Sequence, residues 1–247
     1  MLRKLTEAIP EWEDPPDPVV YAPPTPCPEK CRVFAAGPER TTVGCLACGT
    51  ALEFSRNETI YVKGGKAIYA YKVIEGAVRL SRLFADGRRQ IVNFHLRGEV
   101  FGFEPCDFYF ASAEAVGRVV LLRCPRACMM HFCAADPDIN QNRLMMLSKS
   151  LFSAERHIAM LGHQSARQRI ASFFLTFDMP HPCDGEFAFD LPLGRQDIAD
   201  YLGLTIETTC RALSDLKRRR IIDTPTRRQV VVRNAASLRA IAEGLAV

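Results

Sequence analysis

Six apolar residues, Leu144, Leu147, Leu151, Ala154, Ile158 and Leu161, stand 3, 4, 3, 4 and 3 residues apart. That alternation is the a/d spacing of a coiled-coil seam, and it keeps all six on one side of a long helix. A lone seam must bury itself against its own chain or against a second helix. The strict alternation predicts a second helix, and so a homodimer, over residues 135–163. Asp136 and Asp138 suit the first turn of that helix, because acids complement its positive end. Gly162 is expected to end the run and act as a hinge.

Upstream of the seam the period is different. From about Thr59 to Arg123 the chain shows short apolar runs separated by turn residues. Thr59–Val62 meets Gly64-Gly65, Ala67–Ile74 meets Gly76, and Ala77–Leu83 alternates before Asp86-Gly87. Asp-Gly between alternating runs signals a hairpin, since both positions tolerate positive φ. Ile91–Leu96, Val100–Phe103 and Arg118–Leu122 follow. Strands spaced this way predict an antiparallel barrel or sandwich.

The first 48 residues read as an arm. Eight prolines lie between Pro10 and Pro28. Proline lacks the N–H that helices and sheets require, so this stretch is expected to be extended. No run approaches the length and apolarity of a membrane span, and the first residues lack the apolar core of a secretory signal. The protein is therefore expected to stay in the cytoplasm, without membrane partners. Ten cysteines in such a chain argue for core thiols, metal ligands or redox groups rather than a disulfide scaffold.

Charge is unevenly placed. Residues 1–190 hold 22 Lys and Arg against 22 Asp and Glu, whereas residues 191–247 hold 10 against 6. The net charge of +4 thus sits in the last 57 residues, which suggests a polyanion contact at that end.

The most informative stretch is Arg195–Ser214. Ile198, Ala199 and Leu202 give a short helix with a small residue where a second helix must cross closely. Gly203 falls where a tight turn needs positive φ. Leu204 is expected to plug the core, Thr205 to cap the next helix, and Ala212 and Leu213 to continue its buried side. This is the pattern of a helix-turn-helix. Glu207, Cys210, Arg211, Ser214 and Lys217 then share the outward face. In a major groove Glu207 can accept from cytosine N4, and Arg211 can donate twice to guanine O6 and N7. Lys217-Arg218-Arg219-Arg220 can neutralise phosphate. The candidate double-stranded DNA contacts are Thr205, Glu207, Thr208, Cys210, Arg211, Ser214, Lys217 and Arg218. Ahead of this unit, Ser165 and Gln168 fit a capping box, and Ile170, Phe173, Phe174 and Phe177 form one helix face. After it, Ile221-Ile222 and Val230–Val232 predict a hairpin, or wing, with Arg227 and Arg228 at its tip.

This order of parts resembles the CRP/FNR family of bacterial transcription regulators, and within it the FNR/FixK branch. The likeness covers roughly residues 50–240. It rests on AYKVIEGAVRL, DGRRQIVNFHLRGEVFGFE and RQDIADYLGLTIET. It implies an α+β multidomain chain. Residues 1–48 form the arm, 49–134 a cyclic-nucleotide-binding-like β-roll of jelly-roll type, and 135–163 the dimerisation helix. Residues 164–247 form the winged helix-turn-helix domain, with the helix-turn-helix itself at 195–214. The resemblance further implies a homodimer on a two-fold-symmetric promoter site, activating transcription by touching RNA polymerase, with Ala85–Arg89 matching a polymerase-contacting region. The family reads DNA with E-T-x-S-R. Here Cys210 replaces the Ser, and Thr209 stands where Val or Ile is usual.

Two sensing chemistries come with the family. Cyclic-nucleotide binders carry an Arg for the cyclic phosphate, but Gly102 to Val116 contains no Arg or Lys. A buried phosphate without a cation is costly, so no cyclic nucleotide should be required. FNR holds an iron–sulfur cluster through cysteines spaced C-x2-C-x5-C, with a fourth on a strand. Here Cys27, Cys31, Cys45 and Cys48 are spaced C-x3-C-x13-C-x2-C, and Leu122 matches the fourth position, with Cys124 two residues on. The four fit an iron–sulfur cluster, a closed zinc site, or thiols without metal. Cys210 oxidation beside DNA is a further redox route. His95 reads as a satisfied core residue. A metal- or thiol-based redox sensor and a cyclic-nucleotide-responsive regulator are the alternatives to a FixK-type regulator. No H-E-x-x-H, G-x-S-x-G or redox Cys-x-x-Cys context occurs, so an enzyme is not expected.

Overall fold

The computed structural model describes residues 49–177, 186–226 and 228–245. Among the described residues, eight strands form the roll: β1 (Thr50–Phe54), β2 (Thr59–Tyr61), β3 (Tyr69–Glu75), β4 (Ala77–Leu83), β5 (Arg89–Leu96), β6 (Val100–Phe101), β7 (Ser112–Ala115) and β8 (Val119–Pro125). They make two four-stranded antiparallel sheets, ordered β1-β8-β3-β6 and β2-β7-β4-β5. This is the expected roll, and it begins a strand earlier than Thr59. β1 pairs with β8 from Thr50↔Arg123 to Phe54↔Val119. Gly76 makes the β3–β4 turn at φ +87, and a Cβ there would lie 2.5 Å from the Arg118 carbonyl oxygen. The Asp86-Gly87 hairpin forms as expected, with the Phe84 N–H donating to the Arg88 carbonyl at 2.9 Å. Val73, Val78, Ala113, Ala115, Val119 and Leu121 fill the roll interior.

Two helices follow. α1 (Arg126–Ala135) comes directly after β8, a helix without periodic signal in the sequence. α2 (Pro137–His163) is the seam helix. Asp136 caps it, accepting from the N–H groups of Asp138 at 2.9 Å and Ile139 at 3.3 Å. Pro137 stands where a missing N–H costs nothing. Gly162 does not end α2. It lies inside the last turn, because an interior glycine costs a helix only about 1 kcal/mol and the turn still closes. The link to α3 is just Gln164-Ser165.

The C-terminal unit contains α3 (Ala166–Leu175), β9 (Phe187–Asp190), α4 (Arg195–Leu202), α5 (Ile206–Arg218), β10 (Ile222–Asp223), β11 (Gln229–Val232) and α6 (Ala235–Ala242). The Ser165 N–H donates to Gln168 Oε1 at 2.8 Å, one arm of the expected capping box. Ile170, Phe173 and Phe174 are buried, and Phe177 packs beside them. The wing is a three-stranded sheet ordered β10-β11-β9, one strand more than the sequence suggests.

β4 is buried on both faces. Val78 faces the roll core, while Ala77 and Arg79 face the C-terminal unit, which packs on the outside of the sheet. Among the described residues, no helix is long and apolar enough to cross a membrane.

Candidate nucleic-acid interface

α4 and α5 are joined as their sequence dictates. Gly203 adopts the left-handed conformation at φ 62, and the Leu204 N–H closes the turn on the Ala199 carbonyl at 2.9 Å. Ala199 is fully buried, which lets the second helix cross closely. Leu204 is half-buried against the same core. Thr205 caps α5, accepting from the Thr208 N–H at 3.2 Å, and its hydroxyl donates to the Thr208 hydroxyl at 3.1 Å. Thr205 and Thr208 are thus committed to the helix start.

One side of α5 is core. Thr209, Leu213 and Leu216 are buried. Thr209 is 0% exposed and its hydroxyl has no hydrogen-bond partner. The opposite side is open: Glu207, Arg211, Ser214, Lys217 and Arg218 are exposed and Cys210 is half-buried. The Glu207 carboxyl is held below the usual carboxylate range, chiefly by its own backbone N–H at the helix start, then by the Thr205 hydroxyl and Arg211. It is therefore an acceptor at neutral pH, as a cytosine contact requires. Arg211 makes no hydrogen bond or ion pair among the described residues, so its fork of donors is available. The cation that reaches the Cys210 thiol is Arg195, whose Nη1 lies 3.5 Å from Sγ. Arg195 opens α4 and carries no signal in the sequence pattern.

The basic run at the end of α5 divides into two uses. Asp215 pairs with Arg167 at 3.0 Å, with Arg219 at 3.1 Å and with Arg218. Burial alone would raise the Asp215 carboxyl, but these guanidinium groups hold it below its usual value. Lys217 Nζ reaches the wing, 2.9 Å from Thr224 Oγ1 and 3.4 Å from Asp223. Lys217, Arg218 and Arg219 thus brace the fold while lying at its surface. Arg220 is exposed and takes the left-handed position after the helix, at φ 57. Arg228 is exposed beside β11; Arg227 lies outside the described residues.

The seam of α2 faces outward. Leu144, Leu147, Leu151 and Ile158 are exposed, Ile158 by 70%, as is Ala154, while Leu161 is half-buried. The opposite face of α2 turns toward the roll and α3, where Asn142, Met146, Lys149 and Ser153 line a crevice of about 490 Å³. The seam does not pack against its own roll.

Aromatic rings occupy the inside of the roll. Tyr61 and Tyr109 stack at 3.6 Å, Tyr71 and Phe101 at 5.3 Å, and His95 stacks on Phe101 at 5.1 Å. His95 is buried, with Nδ1 3.4 Å from Glu99. Burial pushes the phenols of Tyr61 and Tyr71 up. Three guanidinium groups reach the Gly102–Val116 segment from the sheet, Arg79 and Arg89 at Glu114 and Arg82 over the Phe110 ring, and a fourth, Arg126, comes from α1. Arg126 donates to the carbonyls of Ala67 at 2.7 Å, Cys106 at 3.0 Å and Glu104.

Cys27, Cys31, Cys45 and Cys48 lie outside the described residues. Cys124 is buried beside Ala70 and Met129, as a core thiol would be. Among the described residues no group of three or more His, Cys, Asp or Glu could hold a metal ion.

Comparison with known proteins matches two family models. Residues 51–136 match the cyclic nucleotide-binding domain, and residues 168–241 the Crp-like helix-turn-helix domain. The chain is 36% identical to the nitrogen fixation regulation protein FixK of Azorhizobium caulinodans over 200 residues, covering 78% of this chain and 79% of that one. It is 34% identical to the transcriptional activatory protein AadR of Rhodopseudomonas palustris, covering 69% and 72%. The structure of FixK2 from Bradyrhizobium japonicum superposes with a TM-score of 0.72 at 37% identity, covering 81% of this chain and 98% of that one.

Proposed function

The chain belongs to the CRP/FNR family, in its FixK branch, and is a sequence-specific DNA-binding transcription regulator; from that premise we propose how it works. It acts in the cytoplasm as a homodimer joined along the α2 seam, and it reads a two-fold-symmetric promoter site with one α5 in each major groove. The exposed seam is the single observation that carries this reading, because an unpartnered apolar stripe on a long helix requires a second helix. Glu207 and Arg211 read base edges. Cys210 and Ser214 lie against the groove wall, Thr205 and Thr208 hold the N-terminus of α5 near phosphate, and Lys217 and Arg218 add charge at its other end. The regulator activates by presenting the Ala85–Arg89 hairpin to RNA polymerase through its exposed residues 85–88, Arg89 being turned to α4. It has no catalytic role.

Cyclic nucleotide is not needed. The stacked tyrosines take up the roll interior, and Arg126 is engaged by carbonyls. Both support a roll that is packed without ligand. Gel shifts on duplexes carrying two-fold-symmetric sites of the TTG-x8-CAA sort test the reading. Retardation without added nucleotide is expected, and no shift on any such duplex would reject it. Binding of cyclic AMP with micromolar affinity in calorimetry would reject the nucleotide-free roll.

A further inference from the structure

We infer that Arg79 and Arg89 of the roll are positioning residues for DNA reading, clamping α4 so that each α5 is presented at a set angle to the seam helix. The inference rests on the dimeric reading above. Arg79 stands in the middle of β4, only 7% exposed. Every arm of its guanidinium is used. Nε donates to Glu114 at 2.8 Å, Nη2 to Asn57 Oδ1 at 3.1 Å and Nη1 to Asp197 of α4 at 3.1 Å. Glu114 is its cross-strand partner on β7, so the pairing that builds the sheet also aims the guanidinium outward at α4. Arg89, at the start of β5, donates to the same Asp197 oxygen at 2.9 Å and to Asp200 at 2.7 Å. Gln90 Nε2 adds a bond to the Tyr201 carbonyl at 3.2 Å.

Positions 197, 200 and 201 are three and four residues apart, so they form one face of α4. Its other face, Ile198, Ala199 and Leu202, is buried in the C-terminal unit. α4 therefore lies between the roll and α5, held to the roll by these charged bonds and by the Phe94–Tyr201 ring contact at 5.2 Å, to α2 by the His157–Tyr201 stack, and to α5 by packing. Ion pairs this enclosed are directional, and each loses strongly if one partner is left alone. They fix orientation more than they add stability. The covalent link from α2 to the C-terminal unit is only Gln164-Ser165, which by itself would let that unit swing. In a dimer, such a swing changes the spacing of the two recognition helices while leaving each helix intact.

The spacing predicts the test. Arg89→Glu turns the clamp into a repulsion against Asp197 and Asp200, and Arg89→Glu with Asp200→Arg restores one pair. Affinity is measured on a full two-fold site and on a duplex carrying one half-site, with melting temperature as the check of folding. Arg89→Glu is expected to bind the full site roughly tenfold more weakly and the half-site within about twofold of the parent. The double variant should recover most of the full-site affinity. Equal loss on both duplexes, no loss on either, or no recovery in a folded double variant would overturn the inference. A parent protein with no preference for the full site would instead overturn the dimeric reading on which it rests.

Discussion

The imidazole of His157 on α2 stacks on the ring of Tyr201 on α4, with centroids 4.1 Å apart. Both of its ring nitrogens are buried without a hydrogen-bond partner. Burial, and then the Arg169 guanidinium, hold its pKa below the usual histidine value. The other groups at this junction do not offset that. The phenol of Tyr201 is itself pushed up by burial, and the nearby Arg156 is a cation. The unfolded chain therefore takes up this proton first, at ~6.5, and the folded protein only at lower pH. Stability is expected to fall as pH drops below ~6.5 toward the folded value. His157→Phe keeps the stack and should flatten that slope between about pH 7 and pH 5.5, above most carboxylate titrations. Identical melting curves against pH for the two proteins would show the reading to be wrong.

Thr209 carries a buried hydroxyl with no partner. Replacing it by Val removes an unsatisfied polar group and keeps the shape. Thr209→Val should stabilise the C-terminal unit by about 1 kcal/mol. Urea unfolding measures this, and a lower midpoint would mean that the hydroxyl is satisfied in solution.

The seam predicts an assembly defect. Leu151 is 61% exposed in the single chain. A carboxylate at that position would lie in the middle of the helix pair. Leu151→Glu combined with Ile158→Glu should give a monomer by sedimentation and lose binding to full two-fold sites. A dimer that persists would remove α2 as the interface.

Base reading predicts a specific pattern of loss. Glu207→Ala and Arg211→Ala should each relax preference at one base position and cost ~1–3 kcal/mol on the preferred site. Arg220→Ala should weaken all duplexes about equally and lower the salt dependence, since it can reach phosphate alone. Competition binding with single-base variants separates the two. Uniform loss for Arg211→Ala would make it a phosphate contact.

Local signals carried much of the architecture. Asp86-Gly87, Gly203 and Thr205 act within a few residues of themselves, so their turns and cap could be placed from neighbours alone. The α2 seam was legible for the same reason, since its period needs no knowledge of the partner. Elements without a local signal were not. β7, Ser112-Ala113-Glu114-Ala115, has residues that disfavour strands. It is a strand because Ala113 and Ala115 are small enough for the roll interior and because Glu114 pairs with Arg79. α1 and β9 were likewise set by what they pack against.

The candidate site divides the same way. Glu207, Cys210, Arg211 and Ser214 share a face by helical geometry, so their grouping was readable in the chain. Lys217 and Arg218 looked like unengaged phosphate ligands, and the fold gave them Thr224, Asp223 and Asp215 as partners.

By itself, then, the sequence determined the turns at Asp86-Gly87 and Gly203, the helices α2 to α5, where the recognition face lies, and that α2 has an apolar seam. Those are short-range consequences of period, capping and backbone freedom. The tertiary structure alone decided that β4 is buried on both sides and that Arg79 meets Asp197, 118 residues away in the chain. No periodicity spans that distance, because the pair exists only once burial has brought the outer face of one sheet against one face of one helix.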